Sequence, residues 1–202
     1  MQHKIGFLVA IEGIDQSGKE TQSRLLANRI RQKGRSADVI DFPDYTSKIG
    51  LQLEDYLNGK IRLDHHAVHL LYAANKWESL NRINRKIRDG KILILNRYRG
   101  SNLAYGVAHG LPIEWLVALE QGLPEPELVL LLDISPKLSF ERKSQGRDVH
   151  EKRRTYLLKV RRVYLMLAKR CRWTVIDGEQ DREMVHAEIW EKVSPLLRKH
   201  GS

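Results

Sequence analysis

An octapeptide, GIDQSGKE at Gly13–Glu20, constrains the fold more than any other stretch of the chain. It follows the apolar run Phe7–Ile11 and leads into a segment where Leu25, Leu26 and Ile30 mark one helical face. Strand, glycine-rich turn and helix, in that order, match the phosphate-binding loop G-x-x-x-x-G-K-[ST]. The spacing has a physical reason. Gly13 and Gly18 let successive backbone N–H groups of Ile14, Asp15, Gln16 and Ser17 turn inward on one anion. The helix N-terminus, at Lys19 to Thr21, adds a partial positive charge. Lys19 carries an ammonium to the β- and γ-phosphates. The last position departs from the pattern: Glu20 stands where a hydroxyl normally meets Mg²⁺. Such a loop points to a nucleoside triphosphate and leaves the reaction open.

Short apolar runs at Phe7–Ile11, Val39–Ile40, Ile92–Leu95, Leu128–Ile134 and Thr174–Ile176 alternate with helical patterns. That alternation predicts an α/β fold with a parallel sheet buried on both faces. Val68, Leu71, Trp77, Leu80, Ile83 and Ile87 predict one long helix ending near Asp89–Gly90. Tyr156, Val160, Val163, Tyr164 and Leu167 predict another, and Val185, Ile189, Val193 and Leu196 the last. No repeat or linker divides residues 1–202, which reads as one domain. The net charge of +10 suits a handler of anionic small molecules. The basic residues are spread along the chain, densest at Arg142–Arg162 on a helical pattern, so nucleic acid is not the expected partner. No apolar run reaches the ~20 residues of a membrane span. The opening MQHKIGFLVAIEG is too short in its apolar part for a signal peptide. Lone Cys171 excludes an internal disulfide framework and fits a reducing cytoplasm.

Seven blocks, in order, resemble thymidylate kinases: FLVAIEGIDQSGKETQ, FPDYTSKIG, LLYAANKWE, NRYRGSNLAYG, LLLDISPKLSFERK, GRDVHEKRRTYLLKVRRVYLMLA and VIDGEQ. The resemblance implies a P-loop kinase fold, a five-stranded parallel sheet flanked by helices, with a small lid near 142–151. It implies a homodimer that moves the γ-phosphoryl group of ATP onto dTMP, giving dTDP for dTTP synthesis, with Mg²⁺ as cofactor. Two alternatives stay open: a monophosphate kinase accepting dUMP or UMP as well, and a catalytically weak P-loop regulator.

The same resemblance assigns roles. Asp15 would accept a hydrogen bond from the acceptor's 3′-OH. Tyr72 would stack on the thymine, and Lys76, one turn on, would contact the base edge where the family prefers Arg. Tyr105 would pack beneath the sugar, and Phe42 and Pro43 would belong to the same pocket. Ser101 and Asn102 would contact the base or simply cap a helix. Arg97 follows a strand at the sheet's carboxyl end, where a guanidinium holds a phosphate bidentately. Gln16 and Ser17 leave the phosphate loop without a catalytic cation beyond Lys19. The lid would supply it, Arg147 first, with Arg142 and Lys143 behind. Three positions depart from the family: Glu20, Asn96 in place of an Asp, and Tyr45 in place of an Arg. Glu20 and Asn96 together would form the metal site, the acid gained at one offsetting the acid lost at the other.

Overall fold

The computed structural model describes residues 6–142 and 154–200. Five parallel strands form one sheet in the order β2-β3-β1-β4-β5. They are β1 (Leu8–Glu12), β2 (Ala37–Asp41), β3 (Ile92–Asn96), β4 (Leu128–Asp133) and β5 (Thr174–Asp177). All five apolar runs are strands, and the central β1 and β3 are buried throughout. Side chains alternate across a strand, so β1 feeds two cores. Val9 and Ile11 pack with Leu26 and Ile30 of α1 (Lys19–Gln32) and with Ile189 and Val193 of α9 (Arg182–Lys199). Leu8 and Ala10 face the opposite layer with Ile83, Leu93 and Tyr98. On that side α5 (Arg99–Ala108) packs along α8 (Arg154–Cys171) over Leu131.

The single long helix predicted from Val68 to Ile87 is two helices. They are α3 (His65–Glu78) and α4 (Leu80–Arg88), which meet at Ser79. There the Ser79 N–H bonds back three residues to the Lys76 carbonyl at 3.0 Å, a local 3₁₀ tightening that ends the first helix. Trp77, assigned to the buried stripe, is 37% exposed, and its indole N–H donates to the Leu119 carbonyl at 2.8 Å. Four further helices are not among those predicted from apolar spacing: α2 (Lys48–Leu57), α5, α6 (Ile113–Leu119) and α7 (Pro136–Arg142). In α5 the reason is visible. A Cβ on Gly100 would lie 2.7 Å from the Trp173 ring and 2.9 Å from the Glu12 carboxylate, so close packing demands a residue that weakens the helix pattern. The strands end together. Glu12, Asp41, Asn96, Asp133 and Asp177 share the carboxyl edge, the side on which open α/β sheets bind ligands.

Candidate active site

The phosphate loop lies where the sequence places it, from the end of β1 to the start of α1. Gly13 and Gly18 both take positive φ, 145° and 89°. A Cβ on Gly13 would lie 2.5 Å from the Leu132 carbonyl oxygen, so the neighbouring strand itself requires glycine there. Lys19 is 4% exposed and curls over the loop, donating to the Ile14 carbonyl at 2.7 Å and the Ser17 hydroxyl at 3.3 Å. These contacts hold the ammonium in the loop's concavity. Arg142, at the end of α7, donates to the Gln16 carbonyl at 3.1 Å and the Gly178 carbonyl at 3.0 Å. It thereby links the phosphate loop to the end of β5. Glu20, Thr21, Asn96 and Arg182 also border this groove of about 640 Å³, which has room for a triphosphate chain.

A second, smaller cleft opens beside it. Its walls include Phe42 and cis Pro43 after β2, Tyr72 and Lys76 of α3, and Ser101 and Tyr105 of α5. At its mouth Arg97 takes a left-handed φ of 60°, and its backbone N–H donates to the Ile11 carbonyl at 3.1 Å. The Arg97 guanidinium is hydrogen-bonded to Asp15, and the Tyr105 hydroxyl donates to the same carboxylate at 2.6 Å. The Asp15 carboxylate is therefore held toward Arg97 and Tyr105, its charge offset by the guanidinium at the junction. Asp15, Tyr45 and Arg97 line both cavities. The two binding spaces thus meet at one guanidinium, which is the geometry for passing a charged group between two anions.

A family model described as thymidylate kinase matches residues 11–189. Thymidylate kinases from Schizosaccharomyces pombe and Danio rerio are 36% and 37% identical to this chain, each over 94% of it. The matches take in 92% and 90% of those proteins. The solved thymidylate kinase of Candida albicans superposes with a TM-score of 0.86 at 29% identity, over 98% of this chain and 94% of that one. The chain belongs to the thymidylate kinase family.

Thymidylate kinase membership sharpens the departures. Glu20 borders the phosphate groove, yet its carboxylate pairs with Arg24 of the next helical turn at 2.6 Å and is 67% exposed. The Asn96 amide donates to Asp41 at 2.7 Å, and its Oδ1 is buried with no partner among the described residues. Tyr45 is 40% exposed between the two cavities. Lys76 lines the cleft, but two of its three N–H groups are committed, to Glu120 at 2.8 Å and to the Tyr72 carbonyl at 3.1 Å. The Ser101 hydroxyl donates to Glu12 at 2.6 Å, and the Asn102 amide bonds Glu120 and His69. Neither side chain caps α5, whose N-cap position is Tyr98 without a side-chain cap. Arg147, Lys143 and most of the expected 142–151 lid lie outside the described residues.

Sequence reasoning missed two buried acids. Glu12 is fully buried at the end of β1 and accepts from the Tyr98 backbone N–H at 2.9 Å and from Ser101. It clamps the turn that carries Arg97 to the strand that carries the phosphate loop. Burial, together with the Glu12 charge, raises the Tyr164 phenol well above its ordinary value, so Tyr164 stays a donor beside Glu12. A charged residue inside an apolar strand was the available signal for Glu12. Glu120 gave none, because its partners lie on two other helices.

Proposed function

We propose that this chain transfers the γ-phosphoryl group of ATP to dTMP, giving dTDP. The carrying observation is the Asp15–Arg97 pair at the junction of a phosphate-loop groove and an aromatic-walled cleft. An acceptor that is already an ionised monophosphate needs no general base. Accordingly the one carboxylate that lines both cavities among the described residues, Asp15, is taken up by Arg97 and Tyr105, while Arg97 faces the acceptor phosphate and Lys19 the donor's. Catalysis is then positioning plus cationic stabilisation of charge spread over the moving group. Arg142 supports the donor side of the groove, and Arg147, outside the described residues, is proposed to supply the further catalytic cation. Tyr72 stacks on the base, Tyr105 packs under the sugar, and Asp15 accepts from the 3′-OH. Phe42, Pro43 and Ser101 complete the walls.

The residues at the groove fit a magnesium ion that draws most ligands from phosphate and water. Glu20 supplies a carboxylate at the rim, and Asn96 an unpartnered carbonyl oxygen. Such an ion would neutralise charge on the β- and γ-phosphates. Exposed Leu51, Leu70 and Leu158, on α2, α3 and α8, support a homodimer as the working form. Among the described residues no helix is long and apolar enough to cross a membrane, and the thiol of Cys171 is free, in keeping with a cytoplasmic enzyme.

The test is turnover with ATP across dTMP, dUMP, UMP, dCMP and thymidine. The expected result is the highest kcat/KM for dTMP and none for thymidine, which lacks the anion Arg97 holds. Comparable rates with UMP would favour the looser kinase, and no turnover at all the regulator.

A further inference from the structure

Behind the acceptor cleft lies a buried polar chain that the transfer itself does not use. Glu120 follows α6 and is wholly inaccessible to solvent. Its Oε1 accepts from Lys76 Nζ at 2.8 Å and from Asn102 Nδ2 at 2.9 Å, and both donors line the cleft. A carboxylate only accepts, so it fixes which way the Asn102 amide faces. The Asn102 oxygen then meets His69 Nδ1 at 2.6 Å, which makes that nitrogen the donor. His69 Nε2 in turn faces His109 Nδ1 at 3.0 Å. Both ends of Asn102 are consumed, and the Ser101 hydroxyl is held by Glu12 and Tyr164. Of Lys76, Ser101 and Asn102, Lys76 alone keeps a donor with no partner among the described residues: its third N–H, the other two going to Glu120 and the Tyr72 carbonyl.

We infer that Glu120 is a specificity-determining positioning residue: it holds Lys76 as a fixed, charged, donor-only reader of the acceptor base. The inference rests on the acceptor reading proposed above. An ammonium donor matches a ring carbonyl and repels a ring amino group, so the wall selects oxo-pyrimidines over amino-pyrimidines. The carboxylate sets where that donor points, because the bonds to Glu120 and to the Tyr72 carbonyl leave the third N–H one direction. Removing the Glu120 charge therefore frees the donor to turn, and the loss falls on the base it reads rather than on both bases alike. Burial pushes the Glu120 carboxyl above the usual carboxylate range, while Lys76 and then Asn102 pull it back, which fits an acid held in place by its partners.

The experiment compares native chain, Glu120→Gln and Glu120→Asp with ATP and either dTMP or dCMP. In Glu120→Gln the preference for dTMP falls about tenfold or more, mostly through KM for dTMP and with kcat little changed. Glu120→Asp, which keeps the charge, weakens both substrates and keeps the preference. Equal loss for both substrates in Glu120→Gln overturns the inference. A preference lost in Glu120→Asp does the same, and decides the matter even where the Gln variant is too unstable to assay. Calorimetric binding to the native chain separates the two layers of the argument. Native protein that binds neither nucleotide removes the acceptor assignment itself. A native preference that survives in Glu120→Gln removes only the part given to Glu120.

Discussion

Tyr45 borders both cavities beside Arg97 and brings a neutral hydroxyl to a place where two anions must meet. A hydrogen bond to a charged group contributes about 1.5–3 kcal/mol, against about 0.5–1.5 for a neutral one. Tyr45→Arg should therefore lower KM for dTMP by about tenfold, with a smaller change in KM for ATP. Steady-state kinetics on the two substrates checks this, and an unchanged dTMP value would place Tyr45 away from the acceptor phosphate. Lys19 and Arg97 could be picked out in the sequence because each sits at a fixed offset from a glycine turn or strand end, and Tyr45 through the resemblance to thymidylate kinases. Glu12 and Glu120 could not be read that way. Glu12 meets the Tyr98 N–H 86 positions on, and Glu120 meets Lys76 44 positions back. Their chemistry exists only once the helices have packed.

Helices α1 and α9 cover one face of the sheet, and their seam holds a titratable group. Arg29 of α1 lies over the Trp190 ring at 4.4 Å, and His186 of α9 sits beside them with its Nδ1 buried and unpartnered among the described residues. Burial, and next the Arg29 charge, hold the His186 imidazole below its ordinary value. The native state therefore resists a proton that the unfolded chain accepts near pH ~6.5. Below that pH the unfolded state binds more protons, so stability falls as pH drops toward the depressed native value. Replacing His186 with Gln should flatten the decline in Tm between about pH 6.5 and about pH 5. Thermal melts of the two proteins across that range test it, and parallel curves would place the acid sensitivity elsewhere. At this scale the strands were legible because burial on both faces leaves unbroken apolar runs. The α3–α4 break was not. An apolar stripe runs through Ser79 without interruption, and only a local three-residue hydrogen bond divides it.

The whole molecule carries a net charge of +10, and both proposed substrates are anions. Lys19, Arg97, Arg142 and Arg182 border the phosphate groove against the carboxylates of Asp15 and Glu20. A field of that sign steers anions toward the groove and raises association rates. Salt shortens its reach to about 8 Å at physiological ionic strength and about 3 Å at 1 M. The Lys76–Glu120 pair, in contact at 2.8 Å and almost wholly buried, is screened far less. Two consequences separate. Raising potassium chloride from about 0.02 M to about 0.5 M should lower kcat/KM for ATP and dTMP severalfold with little change in kcat, because long-range attraction is screened. The preference for dTMP over dCMP should stay constant across the same range, because it is set by contact inside a low-dielectric wall. Kinetics on both acceptors over one salt series measures the two together. A preference that collapses with salt would mean that base selection depends on the molecule's field and not on the buried pair.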